Sequence, residues 1–591
     1  MKKNKLNLLV LLPVFLWIIC IPLIEKLKLL FNPLRNDVWY SNDEYLSDIF
    51  LYYKSIAIVL LACVMIVFLM ISILRYKRKI IQPLLDMKIF IPAVFYLGLT
   101  IISSCLSGYK YFCIHGMPGQ FESIWVITAY IIALLYGYSI ITWQEDNYIT
   151  ILKYIFIGAA LVGLLCVLQY FGLDIYQWIQ GNDTYTYTFE KGTVYGSFYS
   201  PNYVGFYVAL LLPVFIAQLL YAKKRICKYA STVVIAALII AIIGAHSLSV
   251  FIALAAVFFL GIIFMLCKYL PRKRYLRFPL IICGCFICVV GIVGYSLIHA
   301  YIESCNTEKH DLNSIVTLDD SVEIIYKDLR LSLRMSTQYG ENIIEVHDQN
   351  KKPVNLQQVT SDEGYTYYSF SDDSLHDLTI APVLMTQSPD RYGFAIFLDD
   401  KNWCFTNQLT EDDAYYYYTD TGKLTKLTSE NKSADFTPLV DKSSLANGRG
   451  YIWNKTIALL QDYIFIGSGQ DTFAMVYPNY DIVDRFNNGY GSLYTSRPHS
   501  LYLQIAIQSG FLSLICFLIF YGWYVISSIR IYYKTAFNND VVILGFSIML
   551  GTLGYMIMGL TNDSTVTVAP VYWMLLGIGI GINSHIKARA D

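Results

Sequence analysis

The chain has 591 residues and no net formal charge at pH 7; it is 56% hydrophobic, 16% aromatic and only 15% charged. Soluble domains carry about 25% charged residues, so this deficit excludes an ordinary soluble fold and points to a polytopic membrane protein. Zero net charge leaves no case for a nucleic-acid partner, and the 13 cysteines lie mostly in apolar stretches, without metal-ligand spacing or a disulfide framework.

Apolar stretches long enough to cross a hydrocarbon core of about 30 Å fall near 8–24, 52–74, 89–107, 122–142, 149–171, 201–220, 229–245, 248–267, 278–300, 500–527, 540–560 and 567–584. They predict about twelve transmembrane helices. The basic start Lys2, Lys3 and Lys5 precedes the first stretch without a small-residue cleavage site, which reads as an uncleaved first helix. With the N-terminus inside, the inner segments hold 22 Lys and Arg, against 6 on the short outer segments and span edges. Both termini are therefore expected in the cytoplasm and residues 301–499 outside. The spans hold essentially no Asp, Glu, Lys or Arg. Ion-coupled transporters usually need such buried groups, so attention moves to the outer segments.

The first of these, Gly108–Glu122, is polar and aromatic; it either anchors at the interface or lines a sugar site. The run from Gly192 to Tyr203 holds Ser200-Pro201-Asn202 near its end, where Pro201 suits a helix start and Ser200 a cap, with Asn202 as a candidate substrate contact. His246-Ser247-Leu248-Ser249 forms a tight turn between two spans, and a histidine there is more often an interfacial group than a catalyst.

From about Ser304 the character changes to short runs such as Val322–Tyr326, Tyr365–Tyr368, Phe394–Leu398 and Tyr415–Tyr418, which read as strands. Turn clusters divide them at Asp348–Pro353, Asp399–Asn402 and Asp420–Lys423, and the paired aspartates are most simply turn residues. This is an inserted β-rich domain, expected to be dispensable for bond chemistry and relevant to acceptor choice. From Gly450 the pattern becomes helical, with Arg449 at the helix start, where a cation gains nothing from the helix dipole. Gly467-Ser468-Gly469 either cradles phosphate through backbone N–H groups or is a turn ending that helix. Arg497-Pro498-His499 then stands directly before the tenth span.

Taken together, Gly196, Phe198 and Pro201-Asn202; Arg449 with Trp453; Gly467, Gly469 and Phe473; and Pro498-His499, Tyr502-Leu503-Gln504 and Gly510-Phe511-Leu512 resemble the O-antigen ligase/polymerase family of bacterial membrane glycosyltransferases. The resemblance covers about residues 85–585, interrupted by the β insertion. It implies an α-helical polytopic fold of the GT-C kind and transfer of a polyprenyl-diphosphate-linked glycan to a hydroxyl of a glycan or glycolipid acceptor. No cofactor or metal is implied, and the place of work is the outer face of the cytoplasmic membrane. By motif position the family's diphosphate-holding arginine and its histidine correspond to Arg449 and His499. Arg497, Asn202, Tyr502 and Gln504 are further candidates for binding substrate. The chain departs from the family where an arginine usually stands in the turn before the eighth span, which here reads Ser247-Leu248-Ser249; Arg497 is the candidate replacement. The reaction class suits the residues themselves, since a guanidinium fork neutralises a departing diphosphate and a neutral histidine takes a hydroxyl proton. The alternative is a transporter or flippase for lipid-linked oligosaccharide, without bond chemistry.

The expected organisation is helices one to nine across 1–300, the β-rich extracytoplasmic insertion across 301–446, a helical catalytic loop across 447–499, and helices ten to twelve across 500–591.

Overall fold

The computed structural model describes residues 2–76, 88–144, 146–176, 190–269, 303, 311–338, 341–360, 366–385, 388–398, 401–429, 433–491 and 494–590. Among the described residues, eight helices are long and apolar enough to cross a membrane, which makes the chain a multi-pass membrane protein. In chain order the apolar helices before the large loop are α1 (Leu9–Leu23), α2 (Tyr52–Tyr76), α3 (Phe90–Leu106), α4 (Ile124–Trp143), α5 (Asn147–Tyr170), α6 (Pro201–Tyr221), α7 (Arg225–Ala245) and α8 (Leu248–Tyr269). Of these, α1 and α3 are shorter than a full span. The stretch 278–300, expected to be the ninth span, lies outside the described residues.

After the large loop come α11 (Leu501–Ser509), α12 (Phe511–Lys534), α13 (Asp540–Met558) and α14 (Ala569–Ala590). The continuous tenth span expected over 500–527 is thus corrected to two helices broken at Gly510, whose φ of +89° suits glycine alone. α13 and α14 form the inner layer with α6 and α4. Their backbones approach so closely that a Cβ on Gly551 would lie 1.9 Å from the Leu210 carbonyl oxygen, and one on Gly577 2.0 Å from that of Leu134. In lipid, where apolar side chains gain little by leaving solvent, this contact of small residues is what holds helices together.

The β-rich region folds into a four-stranded antiparallel sheet over 312–348 and a seven-stranded antiparallel sheet over 356–425. Alternation sets the strands: along Val322–Tyr326 the first, third and fifth residues are buried and the two between are half-buried. The shared core holds Ile324, Leu333, Ile380, Phe394, Trp403 and Phe405. A two-stranded hairpin not foreseen from the sequence pairs Lys28–Phe31 with Tyr45–Asp48 between α1 and α2; its strands are four residues each, too short for a period to show.

The β insertion is not a separable ornament. α9 (Arg449–Tyr463) and α10 (Ile482–Asn487) form the rest of the large loop, and Ile482 of α10 belongs to the sheet core. Phe486 packs edge-on to Trp403 at 5.3 Å. Lys455 of α9, nearly solvent-free, bridges Asp435 at 2.6 Å and Asp484 at 2.7 Å. Excising 307–441 would uncover α10 and take one anion from a buried lysine, a costly loss. These contacts tie the sheets to the loop that carries Arg449; whether the region is dispensable for bond chemistry is a matter for the deletion itself, read as donor binding by the folded protein.

Candidate active site

The loops at one end of the bundle are tied together. Lys54 of α2 is buried and donates to the carbonyls of Phe50 (3.1 Å) and Ser197 (2.7 Å) as well as to that of Ile24. Lys423 of the sheet region reaches the carbonyls of Asp37 and Tyr40 at 2.7 and 3.0 Å, and Ser107 Oγ donates to the Ser468 carbonyl at 2.5 Å. Onto this platform α9 is laid so that Arg449, its first residue, faces the turn between α13 and α14. The Arg449 Nη2 donates to Asn562 Oδ1 at 3.2 Å.

His499 arrives at the same turn. Its Nδ1 stands 3.4 Å from Asp563 Oδ2; the imidazole is 38% exposed and the carboxylate 1%. The other oxygen of Asp563 accepts the Ser500 N–H at 3.1 Å, so the carboxylate is held while the ring remains accessible. The backbone contributes as well. His499 has φ +50°, a left-handed conformation that histidine tolerates better than bulky residues. Pro498 before it accepts the Trp453 Nε1–H at 3.1 Å, and Ser500 after it caps α11. A residue held in a sparsely populated backbone region on both sides is the mark of an over-determined site.

Arg497 points the other way, into the protein, and is only 7% exposed. Its guanidinium donates to the Tyr203 hydroxyl and the Gly119 carbonyl and lies 5.1 Å from the Tyr199 ring centroid. Burial works against its charge, but Tyr203, Tyr199, Asp563 and Asp471 around it hold it firmly protonated, above the ordinary arginine value. Replacing it would leave the Gly119 carbonyl and the buried Tyr203 hydroxyl without their donor, a cost of about 1–3 kcal/mol for each buried group so left.

The other candidates are placed as follows. Asn202 Oδ1 accepts from Ser247 Oγ at 2.8 Å, and Ser249 Oγ accepts from Thr561 at 3.1 Å. The Ser-Leu-Ser turn, where the resemblance leads one to expect an arginine, thus braces the loop that carries Asn562. Tyr502 donates to the Met556 carbonyl at 2.7 Å. Gln504 donates to Glu122 Oε2 at 3.2 Å and accepts the Ser564 N–H at 2.8 Å. Both side chains are engaged inside the protein and sit on α11, below His499. Arg449 and His499 converge on the turn at Asn562-Asp563, while Arg497, Tyr502 and Gln504 support that convergence from behind.

The Gly-x-Gly motif resolves against phosphate binding. The N–H groups of Ser468 and Gly469 donate to the carbonyls of Ile507 and Gln508 at 2.8 and 2.9 Å, and that of Gly467 donates to Tyr463 at 3.0 Å. The Ile507 and Gln508 carbonyls are those freed by the break at Gly510, and backbone groups at this depth must find partners. A Cβ on Gly467 would lie 2.5 Å from the Gln508 carbonyl oxygen, at a φ of +83°. Gly467→Ala is therefore expected to destabilise the fold by about 1–3 kcal/mol for the backbone strain alone, measured as a lowered unfolding temperature in detergent.

Three functional or supporting residues escape sequence reading. Asp563 is the only charged residue between Val541 and Ser584, a signal that could have singled it out. Glu122, buried just ahead of α4, accepts from Tyr130 (3.0 Å), Ser564 (2.6 Å) and Gln504. Asp471, also buried, accepts the N–H groups of Met117 and Glu122 at 2.6 and 3.1 Å, which clamps the 116–122 loop beside Arg497. Burial pushes the Asp471 carboxyl up to about 8, against the pull of its backbone donors and Arg497. The sign follows from linkage. Between about 4, where the unfolded carboxyl titrates, and about 8, the folded state holds the proton that the unfolded chain has lost. Its contribution is therefore complete at low pH and is lost as pH rises through that window. Asp471→Asn is expected to flatten the decline in unfolding temperature between pH 5 and pH 8; an unchanged slope would assign the decline to other groups.

Residues 414–518 match the family model described as O-antigen ligase. The match takes in the last two strands of the seven-stranded sheet, α9, α10, α11 and the start of α12, and with them Arg449, Arg497, His499, Tyr502 and Gln504; Asn202, Asn562 and Asp563 lie outside it. The resemblance read from the sequence holds across this segment. No curated protein and no solved structure matches the chain.

Proposed function

For a chain that carries an O-antigen ligase segment on a multi-pass membrane bundle, we propose that it is a membrane glycosyltransferase moving a glycan from a polyprenyl diphosphate to a hydroxyl of a glycan or glycolipid acceptor. The observation that carries this reading is the meeting of Arg449 and His499 over the Asn562-Asp563 turn. In the proposed step the acceptor oxygen attacks the anomeric carbon from the face opposite the diphosphate, and the bond from that carbon to the phosphate oxygen breaks. The diphosphate leaves with the electron pair and the configuration inverts. Arg449, half-buried at the start of α9, faces the departing diphosphate with a fork of donors that matches its charge and geometry. His499 takes the acceptor proton, with the Asp563 carboxylate 3.4 Å from its Nδ1 to orient the ring. Asn202 is assigned to the rim of the site. Arg497 supports it electrostatically from below, and Tyr502 and Gln504 hold α11, and so His499, in register.

The direct test is the purified protein in liposomes with a polyprenyl-diphosphate glycan and an acceptor. Release of polyprenyl diphosphate with product formation supports the reading, whereas movement of the lipid across the bilayer without release would replace it with a flippase. The face on which this happens follows from the excess of Lys and Arg on the other side. Cysteines introduced at Ser371, exposed in the sheet region, and at Lys77 are expected to label from opposite sides of intact cells. Equal labelling would overturn an outward-facing site.

A further inference from the structure

We infer that Ile464-Phe465-Ile466, the tip that follows α9, is embedded in the lipid surface and anchors the catalytic loop to the bilayer. The inference needs only the membrane spans and is independent of the reaction. Phe465 is 83% exposed, with Ile464 and Ile466 at 39% and 49%. Three successive large apolar residues turned outward are not ordinary scatter on a solvated loop.

The tip has a defined place. The Ile464 carbonyl accepts the N–H of Phe511 at 2.8 Å, and Gly510 packs so tightly on the Phe465 carbonyl that a Cβ there would lie 2.6 Å from its oxygen. On the other side Ser107, which follows α3, donates to the Ser468 carbonyl at 2.5 Å. The tip is therefore pinned where α3 ends and α12 begins. The exposed residues there are Leu106, Phe511 and Leu512, the outward surface of helices that cross the membrane. Ile464–Ile466 continues that apolar surface across the end of the two helices, which is the depth at which interfacial apolar groups sit in headgroups and upper acyl chains. Continuity with the lipid-facing surface selects the bilayer, rather than a second protein copy, as the occupant.

The consequence is mechanical. α9 has 15 residues, a length of about 22 Å at 1.5 Å per residue. One end is held at Asn562 through Arg449 and the other by the tip. The helix that carries Arg449 is thereby fixed against the membrane as well as against the bundle.

A photoreactive residue tests this with little change of shape. In nanodiscs, Phe465→p-benzoylphenylalanine is expected to give, on illumination, an intact mass raised by one phospholipid. Its yield should be comparable with that of the same residue at Leu512 on α12, and Val440→p-benzoylphenylalanine, exposed on the large loop, should give none. Lipid capture at position 512 but not at 465 would overturn the inference, as would equal lipid capture at 440 or a cross-link from 465 to a second copy of the chain. The replaced side chain is exposed and aromatic, and retained unfolding temperature in each variant confirms that a negative result is not misfolding.

Discussion

Replacing His499 with alanine is expected to lower glycosyl transfer by about 10²–10⁴-fold, the usual worth of a general base, while donor binding survives. The split between the two readouts is what gives the experiment its force. His499 stands 3.4 Å from the Asp563 carboxylate and is the accessible member of the pair; on the proposed mechanism its loss removes proton transfer without removing the donor's cation. Asp563→Asn should lower transfer as well, because an amide can present its N–H to Nδ1 and stabilise the wrong tautomer. Its pH profile should change in shape and not only in height. Near-normal transfer by His499→Ala, in protein with wild-type unfolding temperature, would remove the histidine from the essential chemistry and leave electrostatic stabilisation as the main device.

Arg449→Ala is expected to lower transfer by about 10²–10³-fold, the cost of losing one preorganised donor to a developing charge. Here donor affinity should fall too, since the diphosphate is anionic before the reaction as well as after. Arg449→Lys restores the charge but not the fork, and the Nη2 bond to Asn562 at 3.2 Å cannot be rebuilt with the same geometry. A partial rescue of affinity with a persistent loss of transfer is the expected pattern. Full rescue by lysine would mean that charge alone matters and that the bidentate geometry is irrelevant. Arg497 makes a useful contrast. Its guanidinium is enclosed by Tyr199, Tyr203 and the Gly119 carbonyl, so its replacement should show first as lost stability.

The membrane helices and strands were legible in the chain for physical reasons. A bilayer of fixed thickness demands long apolar runs, and a half-buried strand demands alternation, as at Val322–Tyr326. Arg449 could be placed at the start of its helix because the helical pattern begins at Gly450, and the structure starts the helix at Arg449 itself. Arg497 and His499 could be singled out because they stand directly before an apolar run, and Pro498-His499 because it matches a motif of the family the chain resembles. The Gly-x-Gly was ambiguous, since the same two glycines serve a phosphate or a crossing backbone equally well. Only the freed carbonyls of Ile507 and Gln508 show which demand they meet.

What the sequence by itself determined is therefore local or set by the solvent: the apolar helices, the strand-rich stretch between them and the resemblance that holds over residues 414–518. What only the tertiary structure decided is partnership. Asp563 is 64 positions from His499 in the chain, Asn562 is 113 from Arg449, and Glu122 is 382 from Gln504. The packing of the β sheets on α10 and the break at Gly510 belong to the same class. Each is settled by which buried polar group finds which partner once water is excluded, and such pairing leaves no period or spacing in a single sequence because it is made across the fold.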